Sequence, residues 1–330
     1  MAYEFTAGES VAESFAQAWN EQLDRAVRAL SEEWTADPVG AIHAARKAIK
    51  KERALLRLGR GALGGEERRR LNRELRSIGQ GLSGLRDSEV MVQTLEKLTV
   101  RFAGQLPEAT FSEVRELLDR DRRAQHDGAA GGEAISAAAA HLEDLRGRVD
   151  ELTLDSDGWP AIDGGLMRTY RDGRRAMREA SRTRTLEALH DWRKRVKDLW
   201  YELRLLAPVC GPAFQGAAAE AGELADILGD DHDLGMLRQT LLGRATEPGV
   251  DLEALIGLID YRREQLQTQA VLIGERLYAE RPGAFRRRIR RCWSAGRAEH
   301  RAFEARHPSA VAQPIISGRP NTRSNASSSP

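Results

Sequence analysis

The chain has 330 residues, with 51 Lys and Arg against 50 Asp and Glu, 41% apolar residues and only 5% aromatic ones. That length suits one large or two ordinary domains, and this much charge among alanine and leucine favours a helical globular protein over disorder or a β fold. No run approaches the ~18 apolar residues of a membrane span. The first ten residues lack the apolar core of a secretory signal, and two cysteines, Cys210 and Cys292, supply neither a disulfide framework nor a zinc cage. A reducing, cytoplasmic setting is expected.

Apolar residues recur at helical spacing and no convincing strand is present. In chain order the pattern predicts helices over 8–33, 38–59, 66–82, 88–104, 108–125 and 133–151. Gly64, Gly65, Pro107 and the glycines at 128, 131 and 132 punctuate them. After a break at 154–160, further helices are expected over 161–181, 185–206, 212–228, 234–244, 252–280 and 282–305. From 307 onward the chain is rich in Ser, Pro and Asn, the composition of a disordered tail. The expected division is a first helical bundle over 1–155, a second over 156–306 and a tail over 307–330.

An internal repeat links the two bundles. His43-x-x-Arg46-Lys47-x-x-Lys50 returns as His190-x-x-Arg193-Lys194-x-x-Lys197, an offset of 147, and Arg57-Leu58 returns as Arg204-Leu205. One helix later, Leu82-x-x-x-Arg86-Asp87-x-x-Val90 is echoed by Leu228-x-x-x-His232-Asp233-x-x-Met236 at an offset of 146. Two landmarks in the same order and at nearly the same separation identify a tandem duplication.

The repeated helix has a distinctive surface. At about 100° per residue, Arg46, Lys47, Lys50, Arg53 and Arg57 cluster around His43, while Ala45, Ala48, Ile49, Leu55 and Leu56 turn the other way. In the second copy Arg193, Lys194, Lys197, Tyr201 and Arg204 accompany His190, and Trp192, Val196, Leu199, Leu203 and Leu206 face away. A solvated face needs polarity of either sign. Stacking like charges along one stripe costs helix stability. Two such ridges in register therefore point to a bound polyanion. Arg168, Arg171, Arg175, Arg178 and Arg182 add an arginine face with Tyr170 nearby; thinner rows occur at Arg69, Arg73 and Arg76, and at Arg286, Arg290, Arg297 and Arg301.

These motifs resemble the CHAD family, the conserved histidine α-helical domain, over nearly the whole chain. The resemblance rests on His43–Leu58, Leu82–Val90, Tyr170–Arg178, Leu189–Arg204 and Leu228–Met236. It implies two bundles of about four main helices related by pseudo-two-fold symmetry, and binding of inorganic polyphosphate along a basic surface or central groove. The family's histidine carries over to His43 and His190, and its basic positions to Arg46, Lys47, Lys50, Arg53, Arg193, Lys194 and Lys197. The slot of Arg53 holds Trp200 in the second copy, which removes a cation there. Some relatives are fused to a triphosphate tunnel domain with an ExExK motif; none occurs here, so the chain resembles a stand-alone binding module.

Other chemistry fits less well. Gly79–Gly84 spells GxGxxG, but no strand precedes it, and its glycines read as a helix break before Arg86. A metal between His43 and His190, joined by His232-Asp233 or Asp230-Asp231, would sit among cations that oppose it. Asp87 and Asp233 read as N-caps or salt-bridge partners of the following helix. The expectation is a non-catalytic polyphosphate binder with no cofactor and no metal, targeted to polyphosphate granules and their proteins. The alternatives are a metal-dependent phosphate-processing enzyme and a nucleic-acid binder that stacks bases on Trp200 or Tyr201.

Overall fold

A computed structural model describes residues 3–82, 84–126, 130–148, 153–244 and 252–307. The side chains at 84–87, 124–126, 130 and 131 and the tail beyond His307 lie outside the described set, so the expected tail, Arg86 and Asp87 carry no side-chain description. Among the described residues the fold is all helical, without strands. The helices are α1 (Val11–Arg28), α2 (Pro38–Leu58), α3 (Gly65–Gly81), α4 (Gly84–Arg101), α5 (Glu108–His126), α6 (Ala130–Gly147), α7 (Trp159–Thr183), α8 (Leu186–Cys210), α9 (Pro212–Leu242), α10 (Glu253–Leu277) and α11 (Pro282–Arg306). A π turn at Ala29–Glu33 prolongs α1, and a 3-10 turn at Gly59–Gly61 prolongs α2.

Local chemistry sets the helix ends. Ser10 and Glu13 form a capping box on α1, and Asp157 Oδ1 accepts from the Val11 and Ala12 amides at 2.7 and 3.3 Å, so a residue from beyond α6 completes the cap. Asp37 caps α2 through the Gly40 amide at 2.9 Å, with Pro38 just inside. Thr185 does the same for α8 through Ala188. Gly211, at φ 83°, ends α8 and starts α9, a left-handed position that favours glycine. Helix α8 runs four residues past its expected end at 206, with Pro208 inside its last turn, where its missing N–H forfeits one bond, to the Arg204 carbonyl, without ending the helix.

The expected break within 212–244 is absent: α9 is one helix of 31 residues. In the first copy Gly79, Gly81 and Gly84 surround the junction of α3 and α4; at the offset of 146 the second copy has Ala225, Ile227 and Asp230 there and stays helical. The glycines α9 does contain serve close packing. A Cβ at Gly229 would lie 3.2 Å from Arg193 Nη2, and one at Gly235 would lie 2.6 Å from Leu186 Cδ1. Asp233 is therefore a mid-helix residue and not an N-cap.

One buried core runs through both halves, with Phe15, Trp19 and Leu55 from one set and Tyr170, Trp192 and Phe214 from the other. Helix α8 packs along α9 and α7; α2 packs along α1 and also touches α7 and α8, and α4 touches α9. The chain before α1 joins this seam. Tyr3 is buried and donates to the Lys51 carbonyl at 2.9 Å, and the Phe5 amide donates to the Leu205 carbonyl at 2.8 Å. At Gly165 of α7, a Cβ would overlap the Arg57 and Leu58 carbonyl oxygens, so α7 and α2 meet backbone to backbone.

Gly165→Ala should therefore destabilise the fold by about 2 kcal/mol, the usual cost of forcing atoms into a packed core. Gly216→Ala, on an exposed stretch of α9 where a Cβ meets nothing, should stabilise by about 0.5–1 kcal/mol. Urea unfolding of both variants checks the sign and the contrast.

Candidate functional site

The apolar faces of α2 and α8 are sunk in the core, which fixes where their polar faces point. Ala45, Ile49 and Leu56 anchor α2, and Trp192, Val196 and Leu203 anchor α8. Their basic faces then meet across one cleft of about 470 Å³. Arg46, Lys50, Arg53 and Arg57 line it from α2, and His190, Arg193, Lys194, Lys197 and Tyr201 line it from α8. Arg76 from α3, Met91 from α4 and His232, Asp233 and Met236 from α9 complete the walls. Nine Arg and Lys side chains share the lining with two carboxylates, Asp198 and Asp233.

Several of these cations are held by groups behind them, which aims them without neutralising them. Arg46 donates to the Gly79 carbonyl at 3.0 Å, and Arg53 to Asn72 Oδ1 at 3.1 Å. Burial, and then the neighbouring Arg57, lowers the Arg53 guanidinium to about 10, which leaves it charged at neutral pH. Asp198 sits between Arg57, at 3.1 Å, and Arg195, at 3.3 Å. Asp233 reaches Arg193 at 4.0 Å, so its expected role as a salt-bridge partner holds even though it caps nothing. Lys194 pairs with Asp191 at 2.6 Å on its own helix.

The histidines depart from expectation. His43 is exposed and does not line the cleft, because it lies two turns before Lys50 along α2. His190 instead stacks on His232, with ring centres 4.3 Å apart. Burial and then the cations Lys194 and Arg193 lower His190; burial and then His190 lower His232, to about 3. Both rings are neutral at pH 7, and the Nδ1 of each is buried without a hydrogen-bond partner. Among the described residues no group of three His, Cys, Asp or Glu could hold a metal ion.

Other expected contacts also lie off the cleft. Lys47 is exposed on the flank of α2. Arg204 lies beyond the cleft's end, its guanidinium 5.4 Å from the Trp200 ring centre. The arginine face of α7 points elsewhere: Arg175 pairs with Asp172 at 3.0 Å, Arg171 donates to the Met167 carbonyl at 3.1 Å, and Arg178 is exposed. Trp200 does not line the cleft and packs on Tyr201, and Tyr201 is 3% exposed, edge-on to Tyr3. Neither ring offers an open face to a base. Sequence reasoning missed Arg195, Asp198 and His232 as wall residues and ranked Arg76 among minor rows. Their signal was present in the Arg193–Asp198 run and in the His232 echo of Arg86.

A family model for the CHAD domain matches residues 17–242, which hold both ridges and the whole lining of the cleft. The chain belongs to the CHAD family. Its fold is similar to PptA from Streptomyces chartreusis (TM-score 0.54, 15% identity, covering 82% of this chain and 98% of that one). It is also similar to the CHAD domain from the plant Ricinus communis (TM-score 0.50, 16% identity, covering 88% and 95%). At these identities the likeness speaks for the fold alone. No curated protein matches the chain. No described helix is long and apolar enough to cross a membrane.

The CHAD cleft has a pH signature. His232 titrates near 6.5 when unfolded and near 3 when folded, so its contribution is present above pH 6.5 and is lost as pH falls toward the folded value. Between pH 7.5 and 5.5, His232→Leu should gain about 1 kcal/mol relative to the parent chain, after allowance for solvent screening of a part-exposed ring. Denaturant unfolding at both pH values measures the gain.

Proposed function

We propose that this CHAD protein binds inorganic polyphosphate in the cleft between α2 and α8 without turning it over. The observation that carries the reading is the convergence of two like-charged ridges on one cavity, nine cations against two carboxylates. Such a wall repels itself, and a polyanion relieves the repulsion. Polyphosphate carries roughly one negative charge per unit and presents no bases, so it calls for many charge-assisted contacts spread along a track. Arginine provides planar forks and lysine point charges, and both line the cleft. The same density of positive charge opposes a catalytic divalent cation, which supports binding over hydrolysis. The module would bring its chain to polyphosphate granules and to the proteins gathered there, in the cytoplasm.

Purified protein incubated with labelled polyphosphate separates the readings. Binding is expected with no orthophosphate released; metal-stimulated release would favour a phosphate-processing enzyme. Single-stranded DNA or RNA at equal phosphate concentration and physiological salt should compete poorly; efficient displacement would favour a nucleic-acid binder.

Arg193→Ala combined with Lys197→Ala should weaken polyphosphate binding about tenfold or more, since contacts to charged groups contribute ~1.5–3 kcal/mol each, while circular dichroism stays unchanged. The logarithm of the affinity should fall linearly with the logarithm of salt, less steeply in that variant. His43→Ala should change affinity less than about twofold, because its side chain stands outside the cleft.

A further inference from the structure

A second basic surface lies along the contact between α7 and α11. One depression, of about 360 Å³, is lined by Asp163, Met167 and Arg171 of α7 and by Pro282, Gly283 and Arg286 of α11. The next, of about 280 Å³, is lined by Trp159 and Pro160 of α7 and by Arg290, Trp293, Arg297 and Arg301 of α11. Higher numbers on one helix meet lower numbers on the other, so the helices run antiparallel and the two depressions follow one another along their contact, together forming the α7–α11 groove. It shares no lining residue with the α2–α8 cleft. At about 100° per residue, Asp163, Met167 and Arg171 stand on the opposite side of α7 from Gly165, the residue that abuts α2.

The groove carries five arginines and one carboxylate, Asp163, which Arg286 engages with both arms of its fork. Arg297 is aimed by its bond to the Glu9 carbonyl at 2.6 Å, and Arg171 by its bond to the Met167 carbonyl; neither bond neutralises the charge. Arg290 and Arg301 have no carboxylate partner among the described residues. From Arg290 to Arg301 the row extends about 16 Å along the helix.

Helix α11 has no acidic residue in its first turn and no side-chain cap, so its positive dipole end is open to an anion, while Arg286 and Arg288 of its second turn pair with Asp163 and Glu280. Trp293 does not suit bases: it is 4% exposed, with Arg297 over its ring. A stacking platform needs an open ring face, so the groove favours a polymer of phosphate alone.

We propose that the α7–α11 groove is a second binding track for inorganic polyphosphate, so that one chain holds two stretches of polymer. This rests on the polyphosphate reading of the cleft. It assigns a role to α11, which lies outside the family-matched segment 17–242. A chain with two tracks links separate polymers, and a single-track chain only coats one.

Isothermal titration of the full chain with a short oligophosphate tests the proposal. The parent chain should bind two oligomers. Arg290→Glu combined with Arg301→Glu should bind one, with the cleft affinity kept within about twofold, as separated sites behave independently. Arg193→Ala combined with Lys197→Ala should weaken the other site and spare the groove. Long polyphosphate should give light-scattering condensates with the parent chain and not with the charge-reversed one. A single equivalent in the parent chain that charge reversal leaves intact, or two that survive charge reversal, overturns the proposal. If charge reversal abolishes all binding and the cleft variant changes nothing, the groove stands and the cleft reading fails. Preferential displacement from the groove by single-stranded DNA at equal phosphate overturns the polymer's identity. Should charge reversal lower the helicity, Arg290→Gln with Arg301→Gln gives the same test with a smaller loss.

Discussion

Repulsion between fixed cations is the constraint around which this structure is arranged. Arg46, Lys50, Arg53 and Arg57 on one helix confront Arg193, Lys194 and Lys197 on another, and isolated helices would separate under that charge. What keeps them together is behind them. The apolar faces of α2 and α8 are buried in a shared core, α7 touches α2 at Gly165 without an intervening side chain, and the segment from Tyr3 to Phe5 bonds to both helices. Hydrophobic burial, which has no sign of charge, holds in place an electrostatic arrangement that would not hold itself.

The paired carboxylates moderate that arrangement. Asp198 shares itself between Arg57 and Arg195, and Asp233 approaches Arg193. They lower the repulsion across the cleft but number far fewer than the cations, so positive charge stays in excess. The neutral His190–His232 stack adds a desolvated floor that contributes no further positive charge at neutral pH.

Much of this could be read from the residues. The alternation of apolar and cationic positions at helical spacing defined the α2 and α8 ridges, and the offset of 147 placed them as equivalents. The continuity of α9 was harder to see, because Gly229 and Gly235 look like breakers in a sequence; in space they are places where α8 side chains pack close against α9. The extent of the cleft along each helix was also hidden. His43 and Arg204 belong to the right stripes but lie past the cleft's ends, a matter of axial position that periodicity does not encode. The α7 arginines form a one-sign stripe in the sequence, but Asp172 and Glu179 on the same helix pair with Arg175 and Arg182, and the stripe lies away from the cleft.

The bond between the Phe5 amide and the Leu205 carbonyl has a consequence for biosynthesis. A chain emerging from the ribosome presents the α2 ridge long before α8 has been made, and domains of this size form as their last essential element arrives. Throughout that interval the nascent protein displays half of its charged site, without its counterpart, in the immediate vicinity of ribosomal RNA. Closure of the amino-terminal strap onto α8 therefore marks the moment when a lone basic helix becomes one wall of a cleft.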